Sequence, residues 1–201
     1  MFKKIILGCI SLLIFVPFSP IIDNYVASLP YTEATRKFYG EVHVWCKIVY
    51  YSIPVITALF IIVPLCVLIF SVFCASYRSA RKMMLIILLS LALGPGLIVN
   101  AAFKDHWGRP RPYQVLRDGK TFSPVWRANL AEPKSNSFPC GHASIGFFLG
   151  VPFLAVNRRR SGLIIGCLGG AFVGLVRMLQ GGHYLSDVVF CGLFVWLSAE
   201  L

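Results

Sequence analysis

The sequence predicts an all-α integral membrane protein: one domain over residues 1–201, folded as a six-helix bundle. Hydrophobic residues make up 57% of the chain and charged residues 13%, and mean hydropathy is +0.75, values that fit a membrane protein rather than a soluble domain. Segments 5–22, 48–74 and 83–103 contain no charged side chain, and each is long enough as a helix to cross about 30 Å of hydrocarbon. Segments 141–157, 161–180 and 183–201 are also apolar, with their charged or titratable residues gathered near one end. No internal repeat, linker or low-complexity stretch interrupts this pattern.

The first segment follows Met-Phe-Lys-Lys, as a secretory signal would, but no small-x-small cleavage site follows Phe18. It reads as a retained signal anchor. Net charge is +11, which in a soluble chain would suggest nucleic acid. Here Lys3 and Lys4, then Arg78, Arg81 and Lys82, then Arg158, Arg159 and Arg160 fall in the N-terminal tail and the two shortest loops. Six crossings put all three groups on one side, and the positive-inside tendency places both termini in the cytoplasm. On the outer side, basic residues alternate with Asp23, Glu33, Glu41, Asp105, Asp118 and Glu132. Membrane topology accounts for the inner charge, and an anionic ligand would account for the outer. No nucleic-acid partner and no obligate protein partner is implied.

Three connections face outward: about 23–47, about 104–140, and the turn Gly181-Gly182. The second opens with Arg109-Pro110-Arg111-Pro112, which is expected to favour extended backbone and not to start a helix. The fourth crossing begins at or just after Pro139-Cys140-Gly141. In the fifth, Gly162, Gly166, Gly170 and Gly174 recur every fourth residue, a stripe along which a neighbouring helix can approach closely. Arg177 lies near the same face and is expected to point into the bundle. Seven cysteines are present. Cys9, Cys66, Cys74, Cys167 and Cys191 fall within spans as packing residues, and a bridge between Cys46 and Cys140 is left open.

Counting crossings brings three polar clusters to one face: Lys104 through Arg111-Pro112, Ser137 through His142, and Arg177 with His183 and Asp187. His183 and Asp187 are one helical turn apart and share a face. A carboxylate accepting from one ring nitrogen leaves the other fixed in tautomer and more basic, so such a ring can attack phosphorus. Lys104, Arg111 and Arg177 would hold the phosphate oxygens, with the N–H groups of Gly141 and its neighbours adding a helix-start anion site. His142 could protonate the leaving oxygen and then take a proton from water, help typically worth about 10²–10⁴-fold.

Lys104-x(6)-Arg111-Pro112, Pro139-Cys140-Gly141-His142 and Arg177-x(5)-His183-x(3)-Asp187 resemble the three-part signature of the type-2 phosphatidic acid phosphatase family, which includes vanadium haloperoxidases and bacterial lipid A phosphatases. The motifs span residues 104–187. The resemblance implies a haloperoxidase-like helical fold and a metal-independent phosphatase with no cofactor. It makes His183 the phosphohistidine, Asp187 its orienting carboxylate and His142 the acid/base. Lys104, Arg111, Arg177, Cys140 and Gly141 become the phosphate site. Cys140 and Val176 stand where the family usually has serine, each removing a hydroxyl donor. Trp107, Phe122 and Asn136-Ser137-Phe138 give the outer loop the look of the lipid A phosphatase branch, which implies a bacterial inner membrane and an outward-facing site.

Alone, His142 or His183 would more often be a capping or packing residue. Arg177 has a stronger functional prior, because a charge at a membrane helix centre costs about 2.5–3.5 kcal/mol on insertion scales. His43 reads as interfacial and His106 as ambiguous. Arg109 reads as an extra phosphate or head-group contact, or equally as a solvated charge. A cysteine phosphatase needs an arginine six residues after its nucleophile, and Gly146 occupies that place after Cys140. A metal site built on His142, His183 and Asp187 would have a single acidic ligand. The reading is therefore a phosphatase acting on a lipid phosphate or pyrophosphate. Alternatives are an undecaprenyl pyrophosphate or phosphatidylglycerophosphate phosphatase, a lipid phosphotransferase, and an anion transporter or lipid binder without catalysis.

Overall fold

The computed structural model describes residues 2–130 and 135–200, with side chains between Phe15 and Ala199. The side chains of Lys3, Lys4 and Cys9, together with all of Glu132 and Leu201, lie outside the described residues. The structure is 73% helical with almost no sheet. Helix α1 covers Phe2–Ser28. A two-residue antiparallel ribbon, β1 (Tyr31–Thr32) and β2 (Lys37–Phe38), then leads through α2 (Tyr39–Val42) into α3 (Val44–Phe73).

A 3₁₀ turn, Ala75–Ala80, precedes α4 (Arg81–Leu91), which runs on into a π-helical segment, Ala92–Lys104. Pro95 lies inside that segment. Its ring excludes the ordinary bond to the carbonyl four residues back, and wider turns relieve the clash. The side-chain amide of Asn100 donates to the Pro95 carbonyl at 2.6 Å. The remaining helices are α5 (Pro112–Leu116), α6 (Gly141–Phe148), α7 (Val151–Ala155), α8 (Arg159–Leu179) and α9 (Leu185–Glu200). By length and composition, Val44–Phe73, Ala75–Lys104 and Arg159–Leu179 can each cross a membrane, and Gly141–Ala155 and Leu185–Ala199 are shorter apolar runs. Val55, Leu59, Ile62 and Ile69 of α3 are exposed, as expected of a surface bathed in acyl chains.

The core forms where Ile53 of α3, Met84, Ile87 and Leu91 of α4, and Ile145 and Phe148 of α6 meet Val173 and Val195. The glycine stripe of α8 packs on α6: a Cβ at Gly146 would stand 2.5 Å from the Gly169 carbonyl oxygen, and one at Gly150 would overlap the Gly162 carbonyl. That approach packs α8 along α6, and Arg177 is buried at the far end of α8.

Three expectations are corrected. Arg-Pro-Arg-Pro does start a helix, because Pro112 takes the first helical position of α5, where its missing N–H costs nothing. Asp23 is not in an outward loop: α1 continues past it and its side chain is fully buried. Cys46 and Cys140 are both free thiols, and both are buried.

Candidate active site

Four helix ends supply the site. Lys104 closes the π-helical segment, Cys140 caps the start of α6 with Gly141 and His142 in its first turn, Arg177 lies in the last turn of α8, and His183 lies in the turn before α9. A Cβ at Gly141 would lie 3.1 Å from Lys104 Nζ and 2.9 Å from Asn100 Oδ1, so the helix start and the lysine are adjacent. The charges acting on His142 come from Arg177, Lys104 and Arg111. Arg111 and Arg177 act in the same way on Lys104. The three clusters therefore lie side by side at one end of the bundle.

His183 is buried. Its Nδ1 lies 2.5 Å from the Ser137 carbonyl oxygen, which makes that nitrogen the donor and leaves the Nε2 lone pair free. Burial holds the ring's pKa down, to about 4, so it stays neutral at physiological pH. Asp187 Oδ2 stands 3.7 Å from Nδ1. That oxygen accepts from the Ser137 hydroxyl at 2.6 Å and from the Tyr184 N–H at 2.8 Å.

Arg109 is neither a phosphate contact nor a solvated charge. Its side chain is fully buried, with Nη1 donating to Asp187 and Nη2 donating to Asp23 at 2.9 Å. Nη1 also reaches Ser186 Oγ at 2.8 Å, and Nε donates to the Ser123 carbonyl at 2.9 Å. Asp23 in turn accepts from the Ser186 N–H at 2.9 Å and its hydroxyl at 2.6 Å. The two carboxylates raise the guanidinium's pKa against the effect of burial. Every edge of this arginine is engaged, so it bolts α1 and the outer loop to the start of α9.

Arg111 and Arg177 differ from it. Arg111 donates to Asn136 Oδ1 at 2.8 Å and Arg177 donates to Gln180 Oε1, yet the Nε of each is buried without a partner among the described residues. A buried donor left unmade is costly, and two such donors on converging cations fit an anion. Gly182 packs against the Arg177 guanidinium, where a Cβ would collide, and Gly181 has φ 65° beneath the Phe38 ring. The left-handed backbone at Gly181 favours glycine, and a side chain at Gly182 would displace the Arg177 guanidinium. Cys140 is fully buried, and burial pushes its thiol up to about 11. Val176 is likewise buried. His106 is exposed, and His43 stacks on Tyr39 at 3.6 Å.

A family model for the PAP2 superfamily matches residues 83–200. The chain belongs to the PAP2 superfamily. Among characterised relatives, "Lipid A 4'-phosphatase" of Francisella tularensis subsp. novicida (strain U112) is 37% identical over 96% of this chain and 91% of its own length. Proteins of the same name from Rhizobium leguminosarum and Rhizobium etli (strain ATCC 51251 / DSM 11541 / JCM 21823 / NBRC 15573 / CFN 42) are each 34% identical. They are covered over 54% and 43% of their lengths and match 62% and 55% of this chain. No solved structure matches the chain.

The sequence alone missed Asp23, Gln180 and Tyr50, whose ring stacks on the His142 imidazole, as parts of this PAP2 site. Tyr50 and Asp23 lie on α3 and α1, outside the matched region. An acid one residue past an apolar span was a signal for Asp23, but the partner it needed, Arg109, is 86 residues away.

Proposed function

We propose that this chain is a metal-independent membrane lipid phosphatase that removes a phosphate from lipid A through a phosphohistidine. The observation that carries the reading is the convergence of Lys104, Arg111 and Arg177 on two imidazoles, with two guanidinium Nε groups buried and unpartnered. The lipid A relatives, one nearly full-length, support the substrate class. An apolar cavity of about 610 Å³ supports an acyl-bearing substrate: Lys104, Gly141 and His142 line one part of it, and Pro54, Leu88 and Pro95 line the rest.

In this mechanism the three cations and the first N–H groups of α6 hold the phosphate oxygens. Neutral His183 attacks phosphorus through Nε2, the bond to the leaving oxygen breaks, and His142 gives that oxygen its proton. Water then attacks the phosphohistidine, His142 takes the water's proton, the P–N bond breaks and inorganic phosphate departs. Asp187 acts on His183 chiefly through its charge, which favours the developing imidazolium, and its bond to the Ser137 hydroxyl steadies the carbonyl that orients the ring. Cys140 remains a thiol and contributes through the backbone of the helix it caps. Positioning and charge stabilisation supply most of the acceleration in phosphoryl transfer.

On this reading the protein is one domain in a bacterial inner membrane, with both termini cytoplasmic and the site at the outer interface. The exposed Arg78, Lys82 and Arg158–Arg160 support this, since they lie at helix ends opposite the site. The test is incubation of purified protein in detergent with lipid A, isoprenyl phosphates and phospholipids, read by mass spectrometry for phosphate loss. Lipid A should be dephosphorylated in excess chelator, by wild type and Cys140→Ser but not by His183→Ala. Loss in the first variant with survival in the second would overturn the nucleophile. No release from any lipid would return the site to an anion path or a lipid binder.

A further inference from the structure

We infer that Tyr50 on α3 is a positioning residue that sets the ring plane of His142 and the guanidinium of Arg177 together. The inference rests on the acid/base and phosphate-binding roles proposed for those two residues. The Tyr50 ring stacks on the His142 imidazole with centroids 4.4 Å apart and planes within 17°. The Arg177 guanidinium carbon lies 4.7 Å from the same ring. One aromatic side chain thus touches a group from the start of α6 and a group from the end of α8, and it belongs to neither helix.

Both neighbours need such a support. A general acid acts only within hydrogen-bond reach of the leaving oxygen, and an imidazole near a helix start turns freely about its side-chain bonds unless something flat confines it. Among the described residues Arg177 Nε has no protein acceptor, so a phosphate can use it. Its other restraint is Gln180, whose own amide is tied to the Cys46 carbonyl at 3.1 Å. Tyr50 offers a π face, which attracts a cation without consuming its donors. The ring thereby fixes Arg177 and leaves its hydrogen bonds to the substrate. Tyr50 also lines a polar cavity of about 340 Å³ with Arg111 and Arg177, distinct from the apolar one.

The experiment uses the full-length protein in detergent with two substrates sharing one acyl chain, an alkyl phosphate and an aryl phosphate whose phenol leaves without protonation. Tyr50→Phe keeps both ring contacts and should retain kcat/KM on each. Tyr50→Leu removes them and should lower kcat/KM on the alkyl phosphate by about a hundredfold, the size of an aromatic stack plus a buried cation–π contact. The aryl phosphate should lose less, because kcat/KM reports the first phosphoryl transfer and that leaving group needs no acid. Should Tyr50→Leu not elute as wild type does, Tyr50→Met replaces it. Equal damage from Phe and Leu would place the function in the hydroxyl and overturn the inference, as would an unchanged kcat/KM in Tyr50→Leu. Failure of the underlying assignment would appear separately, as full activity in His142→Ala.

Discussion

His183 is anchored by Ser137, and Asp187 anchors Ser137. The ring nitrogen meets the Ser137 carbonyl at 2.5 Å, while the Asp187 carboxylate stands 3.7 Å from the ring and takes the Ser137 hydroxyl at 2.6 Å. Ser137→Ala removes one of several donors to Asp187, so it should cost about 1 kcal/mol of stability and lower kcat by no more than about fivefold. Asp187→Ala leaves Arg109 buried beside a single carboxylate and strips the ring of its nearest negative charge. It should cost about 3 kcal/mol or more and bring kcat close to that of His183→Ala. Thermal melts and phosphate release on the two variants rank them. Equal kcat losses would mean that the hydroxyl carries the whole effect.

The buried and half-exposed arginines should behave oppositely. Arg109 and its two carboxylates are fully buried, so Arg109→Leu leaves two uncompensated acids in the interior and should cost about 3–5 kcal/mol. Arg117 meets Glu41 at 3.0 Å with each side chain 32% exposed, and such a pair is worth about 0–1 kcal/mol. Arg117→Leu should therefore leave the melting temperature nearly unchanged. The Asp23→Asn variant should fall with Arg109→Leu, and the double variant should lose less than the sum, because the two changes strike one network. Additive losses would show that Asp23 and Arg109 act independently.

The site's chemistry was legible in the sequence to the extent that spacing encodes it. His183 and Asp187 are one helical turn apart, and Gly141-His142 opens a helix, so those residues announce their geometry locally. Counting crossings then delivers Lys104 and Arg177 to the same end. The Asp23–Arg109 bond was not legible, because its partners are 86 residues apart and each, alone, looks like an ordinary interfacial charge. Tyr50 was hidden for a different reason: an aromatic in an apolar span carries no polar signal, and only packing reveals which face it presents. The α5 start was not legible from proline content, because proline's bar to a helix interior is lifted at the first helical position that Pro112 takes. Among helix limits, α1 ran on past residue 22 because Asp23 found buried partners and so did not need water.

Cys140 should resist alkylation in the folded protein. It has no exposed surface, and burial raises its thiol to about 11, whereas the thiolate is the reactive form. The sign follows directly. A thiol raised above its usual value stays protonated at every pH below that value, so between pH 7 and 9 the folded protein presents almost no thiolate here. Brief iodoacetamide treatment at pH 8 should leave the Cys140 peptide unmodified by mass spectrometry, and denaturation should expose it. Rapid labelling of the folded protein without loss of activity would contradict both the burial and the raised value.

The His183 ring should make the protein less stable as pH falls from about 6.5 towards 4. Unfolded, the ring binds a proton near pH 6.5, but buried beside Ser137 it resists protonation down to about 4. Between those values the unfolded state holds more protons, so stability declines with falling pH by up to about 1.4 kcal/mol per unit from this group. Above pH 6.5 both states carry a neutral ring and the contribution is constant. Other groups titrate in the same window, so the diagnostic quantity is a difference between proteins. His183→Gln, which keeps an amide donor for the Ser137 carbonyl, should show a shallower fall in melting temperature between pH 6.5 and 4.5 than wild type does. Parallel curves would mean that the ring is protonated in the folded state across this range. A ring already cationic at pH 6 would have no lone pair for phosphorus, and the nucleophile would have to be sought elsewhere in the pocket.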